Sequence, residues 1–273
     1  MAIKLGNNDI TLKVGSTDVS AAYLGSIQVY GGSTPCISDD YVIPFDDSTV
    51  KSICVTNWGG TVVSGEFTYG EAKQVTSLGD VFKRNSSITS FNELAYFHSL
   101  TELSNGEFAG CTNLTDIVIP SNVTTIHQNT GSYNVFSGCT NLSGVTILSG
   151  SESLTLGATA NNNSYYMKSQ HQDTPMVFPN RLITMENGTF QYYDYLTKAY
   201  FQSPTPPVNI ANADIDNYRK LANVYCPVGS LAAYQTALAG KNKTVQEYDF
   251  ETDSLGLLDK EKEWLAKTPK CTS

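Results

Sequence analysis

The sequence predicts an α+β fold in which a solenoid of stacked coils lies between helical caps, with a short all-β module at the N-terminus. The first observation is a seven-residue phrase, Phe-Ala-Gly-Cys-Thr-Asn-Leu at 108–114, which recurs at 136–142 with one change at its second position. Weaker copies at 82–88 and 190–196 keep the initial aromatic residue and the aliphatic residue six positions later. The initial phenylalanines lie 26, 28 and 54 residues apart, which indicates a period of about 27 residues.

The second observation is a strand-like segment after each clean copy of the phrase. Alternate residues of a strand point to opposite faces, so Leu114 and the apolar run 117–119 are predicted to serve the core, whereas Asp116 faces water. Pro120 ends the strand because proline has no amide hydrogen for a ladder. A period near 27 with one strand per coil is typical of leucine-rich repeats, so we expect a leucine-rich-repeat solenoid over 81–228.

Residues 1–30 carry a shorter repeat, with offsets of 9 and 10 residues and glycine-containing turns. This pattern predicts three short strands. Three such strands cannot enclose a core, so Ile10, Val19, Tyr23 and Val29 are predicted to be buried against a partner surface or another copy of the chain. The module would then anchor or oligomerise the protein. The alternative is an N-terminal decoration of the main domain.

A linker and a helical N-cap are predicted to separate this module from the solenoid. Glycine, serine and proline predict a linker over 31–38. Within 39–80, the acidic pair 46–47 predicts the start of one helix, and the capping box formed by Thr68 and Glu71 predicts the start of a second. Both helices are expected to cover the open end of the solenoid.

The loop between those two predicted helices has a partial resemblance to an EF-hand. Gly65 occupies the sharp-turn position and Glu71 the bidentate position of such a loop. Two of the first three ligand positions, Gly60 and Val62, have no side-chain oxygen. We therefore expect a structural remnant that binds no calcium.

The part that follows the repeats, 229–273, is predicted to form a helical C-terminal cap. Short helices are expected at 214–222 and 230–238, on either side of a final strand that ends at Pro227. A polar helix over 253–267 is expected to close the second open end of the stack.

The six cysteines form no C-x-x-C pair, and no histidine lies at zinc-ligand spacing from them. Cys111 and Cys139 occupy the same repeat position, which places them on adjacent coils about 5 Å apart. A disulfide tolerates that distance. The alternative is that each cysteine is a small buried residue.

Composition and motifs exclude several functions. The formal charge of −9 gives no electrostatic footprint for nucleic acid, and no apolar stretch has the length of a membrane span. The start of the chain lacks the pattern of a signal peptide. The three histidines lie far apart, and no phosphate loop, dinucleotide turn or zinc-protease motif occurs. We expect no catalytic residue, metal or cofactor, and hence no enzyme.

Binding residues are expected on loops that project from the repeat. Tyr165 and Tyr166 lie in an extended loop over 158–175, and Tyr192 and Tyr195 lie in the fourth copy of the phrase. Tyrosine combines a flat apolar face with a hydroxyl, so these four residues are candidates for contact with a sugar or a protein. The alternative is that tyrosines of the fourth copy belong to the core.

The phrase and the Ile-Pro-Ser-Asn-Val turn at 119–123 resemble the BspA-like leucine-rich repeats. The resemblance covers about 82–201, and the segment 226–234 is similar to that family's closing coil. It implies a surface adhesin or binding protein of gut anaerobes, with no shared catalytic residues. The leader 1–30 is similar to leader repeats of structural proteins of gut Bacteroidales (crAss-like) bacteriophages.

Together these resemblances imply a non-enzymatic, virion-associated fibre or decoration protein. Its expected partners are other virion proteins, further copies of itself in a possible homotrimer, and a host surface protein or glycan. It would be exported inside the particle. The alternative is a secreted or cell-surface bacterial adhesin.

Overall fold

A computed structural model describes residues 37–104, 106–127, 135–157, 175–186, 189, 196–212 and 221–267, together with the backbone of short strands near the N-terminus. The main body is a parallel β-solenoid of about five turns with a few helices. Its strands carry buried aliphatic and aromatic side chains towards one shared core.

The N-terminal strands form two antiparallel pairs. Strand β1 (Lys13–Val14) pairs with β2 (Thr17–Asp18), and β3 (Ala22–Leu24) pairs with β4 (Ile27–Tyr30). The sequence predicted three short strands in this module, and the described backbone contains these four. Most of the predicted linker 31–38 lies outside the described residues.

The later elements follow in chain order. The helices are α1 (Ser48–Trp58), α2 (Tyr69–Ala72), α3 (Leu231–Ala237) and α4 (Asp259–Lys267), with 3-10 helices at Asn92–Tyr96 and Ile210–Asn212. The strands are β5 (Ser90–Phe91), β6 (Glu102–Leu103), β7 (Asp116–Ile119), β8 (Thr125–Ile126), β9 (Gly144–Ile147), β10 (Leu154–Leu156), β11 (Met176–Phe178), β12 (Leu182–Met185), β13 (Lys198–Phe201), β14 (Asn223–Pro227) and β15 (Thr244–Tyr248).

Parallel pairing arranges these strands on two faces of the solenoid. The first face contains the sheets β5-β7-β9 and β11-β13-β14-β15, and the second contains β6-β8-β10-β12. Equivalent residues stand in register on successive coils, as Ile117 does with Val145 and Leu103 with Ile126. Strand β7 ends at Ile119, immediately before Pro120, as predicted.

The repeated phrase forms the corner between coils. The rings of Phe82 and Phe108 stack at 5.5 Å, and those of Phe108 and Phe136 stack at 5.6 Å with an angle of 14°. The Cys111 thiol donates to the carbonyl of Phe82, and the Cys139 thiol donates to that of Phe108, at 3.1 and 3.0 Å. Both cysteines are free and buried, so the interpretation as small buried residues is confirmed.

Arg181 joins three successive coils from inside the stack. The side chain is 5% exposed and donates to the backbone carbonyls of Pro120, Val123, Leu148 and Glu152 at 2.5 to 3.4 Å. Five N–H donors on a planar group allow one side chain to satisfy several carbonyls at once. Burial lowers the pKa of Arg181 to about 10, and the guanidinium remains charged at neutral pH.

Helix α1 begins directly after the acidic pair 46–47, as the sequence predicted. The Asp47 carboxylate accepts from the amides of Thr49 and Val50, which is an N-cap, and its other oxygen accepts from the amide and hydroxyl of Thr89. One side chain therefore starts the helix and ties it to the segment before β5. The capping box at Thr68 is also present, although helix α2 ends at Ala72.

The Glu71 carboxylate holds the loop that resembles an EF-hand. It accepts hydrogen bonds from the amide and hydroxyl of Thr61, the amide of Val62, and the amide and hydroxyl of Thr68. Burial by itself would raise the pKa of Glu71, but these hydrogen bonds outweigh it and lower the pKa to about 2. Protein donors thus surround the oxygens that would face a metal in an EF-hand.

Replacing Glu71 with glutamine is expected to destabilise the fold in a pH-dependent way. The folded-state pKa lies below the unfolded value of 4.5, so the carboxylate stabilises the fold above that value and loses its effect as the pH falls towards 2. The difference in free energy of unfolding between wild type and Glu71→Gln is expected to be about 2 kcal/mol at pH 7 and close to zero at pH 2. Urea unfolding at several pH values measures it, with exposed Glu251→Gln as control. A difference that does not change with pH would contradict this assignment.

The C-terminal part differs from the prediction in two ways. Helix α3 lies where it was expected, but β14 is not the final strand, because β15 pairs with it in parallel over five residues. The last helix begins at Asp259, not Asp253, because the Asp253 carboxylate accepts from the amides of Leu257 and Leu258 and holds a turn before it. Most of the helix predicted at 214–222 lies outside the described residues.

Candidate functional site

The sequence predicted that the last helix closes the second open end of the stack. In the structure, helix α4 instead lies along the outer side of the first face. Lys260 forms an ion pair with Asp116 on β7, and the Glu261 carboxylate accepts from the amide of Ser149 at 2.7 Å. Trp264 contacts Tyr96 at 4.9 Å between ring centroids. The helix therefore runs back across the coils towards the N-terminal end of the solenoid.

This position explains the surroundings of two residues of β7, of which Val118 was predicted to be buried and Asp116 to face water. Val118 points away from Ile117 and Ile119, yet it is 1% exposed because it packs with Ala95 and Leu148 beneath Trp264. Asp116 was expected to face water, but it pairs with Lys260. Strand β7 is thus covered on both sides.

A cavity of about 390 Å³ lies where α4 meets the first coil, and we call it the terminal cleft. It is built from both ends of the described main body. Its lining comes from the segment before α1, the 3-10 helix after β5, strand β7 and helix α4, and comprises Tyr41, Pro44, Asp46, Asn92, Glu93, Tyr96, Val118, Lys260, Glu263, Trp264 and Lys267.

Helical periodicity places the lining residues on common faces. Glu93 and Tyr96 are three residues apart in a 3-10 helix, whose side chains at that spacing are eclipsed. Lys260, Trp264 and Lys267 are four and three residues apart on α4, which is the spacing of neighbours on one helix face. The two faces meet across the terminal cleft.

Three aromatic rings form a contiguous wall. The Tyr41 and Tyr96 ring centroids are 6.1 Å apart, and the Tyr96 and Trp264 rings meet edge to face at 66°. Tyr96 is 3% exposed, whereas Tyr41 and Trp264 are partly exposed. Burial, together with the hydrogen bond to Tyr41, raises the pKa of the Tyr96 hydroxyl.

The polar part of the wall is rich in acceptors. Glu93 is 3% exposed, and one of its carboxylate oxygens accepts from the Asp46 amide at 3.0 Å. The second oxygen is buried and has no hydrogen-bond partner among the described residues, and the same holds for the side-chain oxygen of Asn92. Burial raises the pKa of Glu93. An unpaired buried acceptor is costly, so a donor in the cleft would be stabilised there.

The two lysines of the terminal cleft already have anionic partners. Lys260 pairs with Asp116, and Lys267 pairs with Glu263 at 2.5 Å. Within the described chain, neither Asp46 nor Glu93 forms an ion pair, so the cleft holds more negative than positive charge. Among all the described residues, the cleft included, no group of three histidine, cysteine, aspartate or glutamate side chains could hold a metal ion. None of the described helices is long and apolar enough to span a membrane.

The structure does not test the binding residues predicted from the sequence. Tyr165, Tyr166, Tyr192 and Tyr195 lie outside the described residues, as do Ile10 and Val19. Tyr23 and Val29 belong to β3 and β4, of which only the backbone is described. All eight assignments remain predictions.

The sequence did not point to the terminal cleft. Trp264 lies in the helix over 253–267 that was expected to close the stack, and Glu93 and Tyr96 belong to no recognised motif. One available signal was the unbroken apolar run 117–119, because a strand buried on both faces does not alternate. That run indicated an element covering the outside of β7, without identifying it.

Comparison with known families gives one match. The model of the BspA type leucine-rich repeat region matches the chain in six copies, over residues 72–172 and 101–230. The two ranges together extend from 72 to 230, which is more than half of the 273 residues. No curated protein matches the sequence.

Proposed function

Because the chain belongs to the BspA-type leucine-rich-repeat family, we propose that it is a non-enzymatic binding protein with a surface for protein interaction or adhesion. Leucine-rich-repeat solenoids are typically interaction scaffolds. In this chain the phenylalanines, cysteines and leucines of the repeat are used for stacking. Contact with a partner therefore belongs to surfaces outside the repeated phrase.

The terminal cleft is the observation that carries this proposal. It combines exposed parts of Tyr41 and Trp264 with the buried acceptor of Glu93. A concave site with aromatic walls and a few convergent polar groups is the usual form of a binding site. Tyrosine and tryptophan are also enriched at protein interfaces, since they bury a large area at a small entropic cost.

Binding through the terminal cleft is tested with labelled protein and intact bacterial cells. Replacing Trp264 with alanine removes one wall of the cleft, and cell-bound fluorescence is expected to fall about ten-fold or more. The control is Val228→Ala, because Val228 is 66% exposed and does not line the cleft. Equal binding by wild type and both variants would exclude the cleft as the contact site. Absence of binding by all three would contradict an adhesive role towards those cells.

The setting that we propose is a virion, where the chain would act as a fibre or decoration protein. Residues 1–30 would attach it to other virion proteins or join three copies of the chain, and the solenoid would contact a host surface protein or glycan. The paired strands β1 to β4 support attachment, because isolated two-stranded pairs are marginally stable in water. An adhesin that is secreted or held on a bacterial surface is equally consistent with the repeat.

Mass measurement in solution tests whether residues 1–30 anchor or oligomerise the chain or only decorate the main domain. The full chain is expected to form an oligomer, such as a trimer, and a version without residues 1–30 is expected to be a monomer. Light scattering after size-exclusion chromatography gives both masses. If both proteins are monomers and neither binds a virion protein, residues 1–30 are not an anchor. The solenoid and its cleft would retain their proposed role in that case.

A further inference from the structure

We propose that the terminal cleft binds a primary ammonium group, supplied by a lysine side chain of a partner protein. This inference rests on the proposed binding function and specifies the chemistry that the cleft recognises. It follows from three properties of the site, namely the kind of atoms that lack partners, the balance of charge, and the aromatic wall.

The atoms without partners are all acceptors. The buried oxygens of Glu93 and Asn92 have no donor among the described residues. An ammonium group carries three N–H donors and no acceptor, so it matches a site whose unpartnered atoms are acceptors and brings no unsatisfied atom with it. A sugar hydroxyl brings an acceptor as well as a donor. The ammonium groups of the two lysines that line the cleft, Lys260 and Lys267, are already paired with carboxylates.

The charge of the terminal cleft also favours a cation. Three carboxylates line it, and Lys260 is drawn to a fourth, Asp116, which leaves two lysines for four carboxylates. Burial disfavours the charged form of Glu93, which raises the pKa of this residue. A bound cation next to the carboxylate reverses that effect, since an opposite charge within about 4 to 6 Å stabilises the ionised form.

The aromatic wall is the third property of the cleft that favours a cation. A cation within about 6 Å of a tryptophan or tyrosine ring is attracted by the negative face of the ring, and the effect grows when water is excluded. The ring centroid of Tyr96 lies 6.1 Å from that of Tyr41 and 4.9 Å from that of Trp264. Rings and carboxylate together can enclose the head of a lysine side chain, while its methylene stem packs against the partly exposed Trp264.

The test uses the full chain and three small probes in calorimetric titrations. They are lysine blocked at both backbone ends, the same compound acetylated on its side-chain nitrogen, and N-acetylglucosamine. The blocked lysine is expected to bind saturably, and the other two to bind at least about ten-fold more weakly, because acetylation removes the charge and two of the three donors.

Two variants and a control connect the binding to the site. Glu93→Gln and Trp264→Leu are each expected to weaken binding of the blocked lysine about ten-fold or more, because each removes a separate part of the site. Glu102→Gln removes an exposed carboxylate on β6 and is expected to bind like wild type. Circular dichroism reports whether each variant is folded. If one variant fails to fold, the other together with the wild-type selectivity decides the result.

Each other outcome overturns the inference. Equal binding of blocked and acetylated lysine, or stronger binding of the sugar, would show that the cleft takes a neutral ligand. The proposed binding function would then stand with a different partner chemistry. Failure of all three probes to bind wild type would exclude an ammonium site. The cell-binding experiment with Trp264→Ala reports separately on the proposed function.

Discussion

Replacing Arg181 with methionine is expected to lower the free energy of unfolding by about 4 kcal/mol. Four carbonyls from two preceding coils accept hydrogen bonds from this one guanidinium, and Pro120, Val123 and Leu148 accept within the buried interior. A buried acceptor that loses its partner costs about 1 to 3 kcal/mol. Removal of a buried charge offsets part of that sum, since the charge itself is costly to desolvate.

Urea unfolding followed by circular dichroism measures the effect of Arg181→Met. Arg181→Lys is expected to be intermediate between wild type and Arg181→Met, with a loss of about 2 kcal/mol in the free energy of unfolding. An ammonium keeps the charge but cannot reach all of the carbonyls. The control is Lys198→Met, which removes an exposed cation from a strand of the first face and is expected to change stability by less than about 0.5 kcal/mol. Equal effects of Arg181→Met and Lys198→Met would mean that the stack does not depend on the cross-coil hydrogen bonds.

Replacing Phe108 with alanine is expected to cost about 4 kcal/mol of stability. The ring is fully buried between Phe82 and Phe136, and it also packs edge to face against Phe91, with 6.2 Å between the ring centroids. Alanine would leave a cavity whose walls are backbone and rings of neighbouring coils, which cannot move inwards without breaking the parallel register. The loss therefore includes both transfer of the ring to water and an unfilled space.

The same unfolding measurement tests Phe108→Ala against two references. Phe108→Leu is expected to cost about 1.5 kcal/mol, since most of the volume is kept. Val228→Ala, at an exposed position, is expected to have almost no effect. If alanine and leucine at 108 were equally tolerated, the corner of the coil would be adaptable, and the stacked rings would not be a main source of stability.

Much of the repeat could be predicted because its information is local. The spacing of Phe108 and Phe136 indicates the period, and Pro120 marks the end of a strand within a few residues. The side chains of Asp47 and Thr68 start their helices by accepting hydrogen bonds from backbone amides two or three residues further on. The sequence pattern and the contact therefore lie in the same short segment. Parallel stacking then follows from the need of each coil to bury its apolar face.

The terminal cleft could not be predicted because its parts are distant in sequence. Tyr96 and Trp264 are 168 residues apart (264 − 96), and their contact depends on where α4 lies after the turn held by Asp253. Periodicity within a helix shows which residues share a face, but it does not show which surface that face meets. The same limit explains why Asp116 was assigned to water.

The return of α4 to the first coil changes how the solenoid can unfold. In a linear stack each repeat contacts only its neighbours, so the ends can open independently and the middle is the most protected part. Here the contact between Trp264 and Tyr96 links the last helix to the first coil. Opening of the helix exposes Val118 at the same time, so the two ends of the stack share one unfolding unit. We therefore expect this solenoid to unfold more cooperatively than a linear stack whose ends do not touch.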